Sequence, residues 1–249
     1  MNESARKDEE LTAEDGSPLE LTDRDIAAFK LIHEQRYLVY NQIRRAFWKG
    51  RSVTANACYR RVERLINSGY LIKGYAKRKS IHIYLNTEKS LKVLQERGLD
   101  SSIPLYKLRR DFEKYTTHDL NVTNVRTLFR EHGLDSWTSE RVLRERDHLP
   151  RIPDGVLNIR GKKAAIEFEN HLTKSKKTYQ EMFDYYRAHG DEYYLVFLII
   201  YGPTRDWIVE DPNYDARQVW ITNYNDLMNE REEALFENKR ASFKLSRLL

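Results

Sequence analysis

Cysteine is almost missing from this chain: among 249 residues the one thiol is Cys58. A single cysteine excludes an internal disulfide framework and any CxxC zinc site. Cys58 falls on the apolar face of a helical stretch, so it reads as a small core residue rather than a reactive thiol. No apolar run approaches the roughly 18 residues of a membrane span, and the acidic N-terminal stretch is not a signal peptide, so a soluble, cytoplasmic protein with no membrane partner is expected. Metal-binding histidine pairs are missing too: His118, His132, His148 and His171 are scattered, with no HxH or HExxH. There is no glycine-rich phosphate loop; Gly155 and Gly161 read as turn residues. No internal repeat is visible.

What is present is unevenly distributed charge. Residues 1–20 carry two Lys+Arg against seven acids, a net of −5. Residues 21–115 hold 21 Lys+Arg against 9 Asp+Glu, a net of +12, and residues 116–249 hold 20 against 22, a net of −2. Basic charge gathered in one segment points to one nucleic-acid-binding module rather than a generally basic protein.

That module centres on Arg51–Asn86. Cys58, Val62, Leu65 and Ile66 share one helical face, while Asn56, Arg60, Glu63 and Arg64 lie opposite, with Tyr59 at the border. Ser52 or Thr54 suits the helix start, and Gly69 the left-handed residue beyond its end. Leu71–Tyr75 and Ser80–Leu85 alternate as short strands, joined by Ala-Lys-Arg-Lys at 76–79. Before them come helices over Asp23–Glu34, capped by Thr22, and Tyr37–Trp48; after them comes a helix over Thr87–Arg97. The order helix, helix, helix, strand, strand, helix is that of a winged helix. In such a fold the third helix enters the major groove of duplex DNA and the hairpin tip follows the phosphates. Asn56, Tyr59, Arg60 and Arg64 are the candidates for the helix. Lys77, Arg78 and Lys79, with Arg44, Arg45, Lys49 and Arg51, are the candidates for phosphate contact. Binding of DNA in this way requires no cofactor, and the cellular location expected is with the nucleoid.

Residues 1–20 read as a disordered acidic tail, 21–98 as the winged helix, 99–115 as a linker with a helical connector over Tyr106–Tyr115, and 116–249 as a second domain. The second domain begins with a helix over Thr117–Glu131, then strand-like Ser136–Leu143, Gly155–Arg160 and Lys163–Glu169. A helix over Ser175–His189 and the apolar run Tyr193–Tyr201 follow, the latter suited to a strand covered on both faces. Gln218–Thr222 reads as a further strand and Asp226–Lys239 as a polar helix.

Glu167 and Glu169 stand two apart on one strand and so project from one face; if the strand opened by Pro153-Asp154-Gly155 is its neighbour, Asp154 lies close to both. Three carboxylates together repel unless a hard cation, a basic side chain or water separates them. Lys174, Lys176 and Lys177 are candidate counter-charges, and Glu140 either joins the cluster or forms a surface ion pair. His118, just before Asp119, reads as a solvated helix cap, with a place in a site as the alternative. Tyr179, Met182, Phe183 and Tyr186 form one helical stripe, suited to a core or a dimer face.

The α-β-β-β-α-β order, with Pro-Asp on one strand and Glu-x-Glu on the next, resembles the PD-(D/E)XK nuclease fold. With Trp137-Thr138-Ser139-Glu140, Pro153-Asp154-Gly155, Ile166-Glu167-Phe168-Glu169 and the helix Tyr179–Tyr186, preceded by a winged helix, the chain resembles the replication-relaxation family of plasmid and mobile-element proteins. The resemblance implies an α+β winged helix followed by an α/β nuclease-like domain. In an active member Asp154 and Glu167 would hold Mg2+ or Mn2+, with Glu169, and Lys176 reaching back, completing the catalytic site. Glu169, however, stands where the nuclease pattern has lysine. The expectation is therefore a sequence-specific duplex-DNA-binding homodimer that serves a plasmid or mobile element, its second domain used for dimerisation or for binding a protein of that element. The alternative is a Mg-dependent endonuclease targeted by the winged helix.

Overall fold

The computed structural model describes residues 19–48, 55–100, 102–147, 149–170, 175–202, 208 and 218–248, and it divides into two units between Leu108 and Arg109. Both mix helix and strand. In unit 1, α1 (Asp23–Gln35), α2 (Tyr40–Phe47) and α3 (Ala55–Asn67) precede β1 (Leu71–Ala76), β2 (Ile81–Asn86) and α4 (Glu88–Glu96). Their apolar stripes meet in one core, with Phe29, Ile32, Leu38, Cys58, Val62, Leu65 and Leu94 buried in it. Burial pushes the Cys58 thiol pKa up, which keeps it protonated and inert. Gly69, at φ +74°, lets the chain leave α3 and enter β1. The strands pair antiparallel from Leu71↔Asn86 to Ala76↔Ile81, and Lys77–Lys79 form a 3-10 turn between them. A third partner was not apparent from the sequence: Leu38 and Tyr84 exchange backbone hydrogen bonds of 3.1 and 2.8 Å, which tie the loop before α2 to β2. The candidate caps Ser52 and Thr54 and the tail 1–18 lie outside the described residues. The connector expected to be helical over Tyr106–Tyr115 forms one 3-10 turn, Phe112–Lys114. Its apolar residues Leu108 and Tyr115 stay exposed rather than docked, and a stretch that short is not a stable helix alone.

Unit 2 runs α5 (Thr116–Glu131), β3 (Trp137–Ser139), α6 (Glu140–Arg146), β4 (Gly155–Ile159), β5 (Lys162–Glu169), α7 (Lys176–Ala188), β6 (Leu195–Ile200), β7 (Val219–Asn223), α8 (Tyr224–Glu230), β8 (Leu235–Glu237) and β9 (Ser242–Lys244). The described strands form one seven-stranded sheet in chain order, with β5, β6 and β7 parallel and the remaining neighbours antiparallel. β6 lies centrally and explains the apolar run. Phe197 and Ile199 pack with α5, while Val196, Leu198 and Ile200 pack with α7. The stripe Tyr179, Met182, Phe183 and Tyr186 is core, buried against the sheet.

Two segments differ from expectation. The strand expected over Ser136–Leu143 stops at Ser139, and Glu140 opens a helix. Glu-Arg-Val-Leu-Arg-Glu-Arg is made of good helix formers, and Glu140 pairs with Arg144 one turn on, at 2.6 Å. The helix expected over Asp226–Lys239 ends at Glu230. The chain then turns through Arg231 at φ 59° into β8 and β9, whose Phe236 and Phe243 pack on Phe197.

Inside unit 1, α3 is fixed to α1 by charge. Asp25 closes a capping box with Thr22 and is fully buried. Arg61 donates from Nε to Asp25 Oδ1 at 3.0 Å and from Nη2 to Oδ2, and also reaches the Glu20 carbonyl at 2.7 Å. Burial works against the Asp25 charge, but the donors of Arg61 and Thr22 outweigh it and hold the carboxyl below its usual pKa. A folded-state pKa below the unfolded one stabilises the fold above the ordinary carboxylate range, and that stabilisation is lost as pH falls through the folded value. Asp25→Asn should therefore cost about 3 kcal/mol at neutral pH. Chemical denaturation from pH 7 to pH 3 checks this, and the variant should show the shallower loss of stability on the acid side.

Candidate functional site

Two places in the chain concentrate chemistry, one in each unit. On unit 1 the outward face of α3 presents Asn56, Tyr59, Arg60 and Arg64, all exposed, while Val62 and Leu65 hold the opposite face in the core. Tyr59 is 49% exposed although its ring meets Tyr40 edge-on at 6.1 Å, so its outer face stays available. Arg60 and Arg61 are adjacent in sequence but differ in use: Arg61 is committed to Asp25, and Arg60 points to solvent. Lys77, Arg78 and Lys79 are exposed at the hairpin turn, Arg44 is exposed near the end of α2, and Arg45 is half-buried. Lys49 and Arg51 lie outside the described residues.

In unit 2 the acidic residues collect where β4 begins and β5 ends. β4 and β5 pair as far as Gly155↔Ile166. Asp154, one residue earlier, continues the ladder through its side chain, its Oδ2 accepting the Phe168 backbone N–H at 2.8 Å. His118, in the first turn of α5, places Nε2 3.3 Å from Asp154 Oδ1. Burial opposes charge on this imidazole, but Asp154 and Asp119 prevail and push its pKa up to about 10. His118 is therefore a charged partner of Asp154, not the solvated cap that its position before Asp119 suggested.

Glu167 projects to the α7 side of the sheet and is only 5% exposed. One of its oxygens, Oε1, accepts from Arg151 Nε at 2.9 Å and from the Tyr186 hydroxyl at 2.6 Å. Burial pushes the Glu167 pKa up and Arg151 pulls it back, leaving a net upward displacement. The same pairing outweighs burial at Arg151 and raises the pKa of its guanidinium, which stays charged. Glu169, one pleat further along β5, is buried against the hydroxyl of Tyr179, whose pKa rises through burial and this carboxylate. Asp154 and Glu167 share the wall of a pocket of about 390 Å³ with His118, Arg144, Arg151 and Phe168, and Glu169 is not part of that wall.

The counter-charges differ from those the sequence suggested. Lys176 is exposed on the first turn of α7, Lys177 pairs with Glu181 at 3.8 Å, and Lys174 lies outside the described residues. Glu140 belongs to a helix and pairs with Arg144, so it is the surface ion pair rather than a member of the acidic cluster. His132 pairs with Glu232 at 3.2 Å, and His148 and His171 are outside the described residues. The residue that sequence reasoning missed is Arg151. Its signal was present, since it lies three residues before Asp154, but nothing in strand periodicity says that a side chain from the preceding loop turns inward.

The nuclease resemblance implies a divalent ion on Asp154 and Glu167, and the side chains present do not fit one. Both oxygens of Asp154 face a proton donor, and Oε1 of Glu167 faces two, one of them a guanidinium. Among the described residues no group of three or more His, Cys, Asp and Glu is placed to hold a metal ion.

Gly155 is a strand residue rather than the turn residue expected. A Cβ there would lie 2.1 Å from the Trp137 ring, so the glycine leaves room for the indole over the start of β4. Gly161 does sit in a turn, following Arg160, at φ 82° and 52° respectively. Gly155→Ala should destabilise unit 2 by about 3 kcal/mol through overpacking, read as a lower midpoint in urea, with loss of near-ultraviolet Trp dichroism. An unchanged midpoint would mean that Trp137 has room to move. No protein-family model, curated protein or solved structure matches this chain.

Proposed function

We propose that this chain is a sequence-specific duplex-DNA-binding protein, with unit 1 a winged helix and unit 2 a nuclease-like fold that binds rather than cuts. The observation that carries the reading is the exposed face of α3, with Asn56, Tyr59, Arg60 and Arg64, in the same unit as the basic turn Lys77–Lys79. This unit also holds the basic excess of the chain. Asn and Arg offer bidentate donor and acceptor patterns that match adenine and guanine edges in the major groove. Lys and Arg on a hairpin tip match the phosphate backbone, which carries affinity without sequence information. On this reading the molecule acts as a homodimer on a palindromic site, as regulator or accessory factor of a plasmid or other mobile element.

The competing reading is a Mg2+- or Mn2+-dependent endonuclease. The meeting of Asp154 and Glu167 at one pocket favours it; their engagement by His118, Arg151 and Tyr186 argues against it. Incubating the full chain with supercoiled plasmid plus Mg2+, Mn2+ or EDTA separates the two. We expect no metal-dependent nicking; nicking abolished in both Asp154→Ala and Glu167→Ala would make the protein an enzyme.

Binding has its own test. A target selected from random duplexes, and an unselected duplex of equal length, are titrated by fluorescence anisotropy. Arg60→Ala should lose about 1–3 kcal/mol on the selected site and little on the other. Lys79→Ala should weaken both alike. With about six phosphates neutralised, log K should fall against log[salt] with a slope near −5. Equal losses from both substitutions on both duplexes would remove α3 from sequence reading.

A further inference from the structure

We infer that Arg151 is the resident cation of the acidic site in unit 2: its guanidinium takes the charge position of a divalent ion and closes Asp154 and Glu167 to Mg2+. This deepens the reading of unit 2 as a non-cutting domain, but it concerns ion binding, which is measured apart from cleavage and from DNA binding.

Burying a charge is costly. Glu167 is almost wholly removed from water on the α7 face of the sheet, and a carboxylate there must meet positive charge or proton donors. An active metal site meets that need with the ion. Here Arg151 Nε at 2.9 Å and the Tyr186 hydroxyl at 2.6 Å converge on one oxygen, so neutralisation comes from within the chain. The Arg151 guanidinium also lies over the Tyr186 ring, 5.9 Å from its centroid, which gives the cation a second, aromatic anchor. Asp154 is used as well, one oxygen by the Phe168 N–H and the other facing His118 Nε2.

A hard divalent ion needs about six oxygen ligands with open lone pairs, and it binds poorly beside a fixed cation. To enter, it must first expel Arg151. The backbone resists that. Arg151 lies between Pro150 and Pro153, the first fixing its own φ and the second restricting Ile152 to extended conformations, so the segment has few alternative paths.

The test is a Mn2+ titration of the full chain, followed by electron paramagnetic resonance of the free ion. Wild type and Arg151→Lys should take up no Mn2+ that depends on this site. Arg151→Gln, folded by circular dichroism, should bind one equivalent at least tenfold more tightly than wild type, and adding Glu167→Gln should abolish that gain. A folded Arg151→Gln that binds no more tightly than wild type would overturn the inference. If Arg151→Gln does not fold, wild type against Asp154→Asn decides. Equal Mn2+ uptake by those two supports the inference, and a wild-type site lost in Asp154→Asn overturns it, whether or not DNA is cut.

Discussion

A carboxylate buried beside a β-sheet has to be neutralised, and in unit 2 the way Glu167 is neutralised organises everything around it. Its position on β5 is set by strand alternation: Ile166 and Phe168 pack toward α5, which leaves Glu167 and Glu169 on the α7 side. That side is lined with tyrosines. Tyr186 donates its hydroxyl to Glu167, and Tyr179 lies near enough to Glu169 for the carboxylate to raise its pKa, so the helical stripe that reads as plain core also faces the acids. Arg151 completes the set from the loop ahead of β4. The Glu167 carboxyl thus meets its donors within the chain.

Unit 1 uses the same device for a different end. Asp25, buried in the first turn of α1, accepts both its capping partner and the guanidinium of Arg61. A bidentate arginine fork has one good geometry, so it sets the rotation of α3 as well as its distance from α1. With Cys58, Val62 and Leu65 turned into the core, helical geometry sends Arg60 and Arg64 outward with Asn56, and Arg61 sits on the flank between core and surface. The surface assigned to DNA thus lies opposite the buried apolar stripe of the helix, with the Asp25–Arg61 pair bracing its flank.

Much of the fold was legible because periodicity reports burial directly. The apolar stripe of α3, the alternation of β1 and β2, and the continuous run of β6 each correspond to the element observed within a few residues. The misses have a common cause. At Ser136–Leu143 and Asp226–Lys239, local composition was compatible with one element, while neighbouring strands and the packing of Phe236 and Phe243 selected two. Gly155 was misread for a related reason. The ring that forbids a side chain there belongs to Trp137, on the adjacent strand.

The sequence by itself determined where basic charge lies, that two separately cored halves follow one another, and which residues share a helix or strand face. These properties depend on neighbours along the chain. Only the tertiary structure decided which cation meets which carboxylate. Lys174, Lys176 and Lys177 were as plausible on paper as Arg151, and His118 looked like a cap. Such pairings depend on loops that bring together residues far apart in sequence, and no local period records where a loop side chain will point.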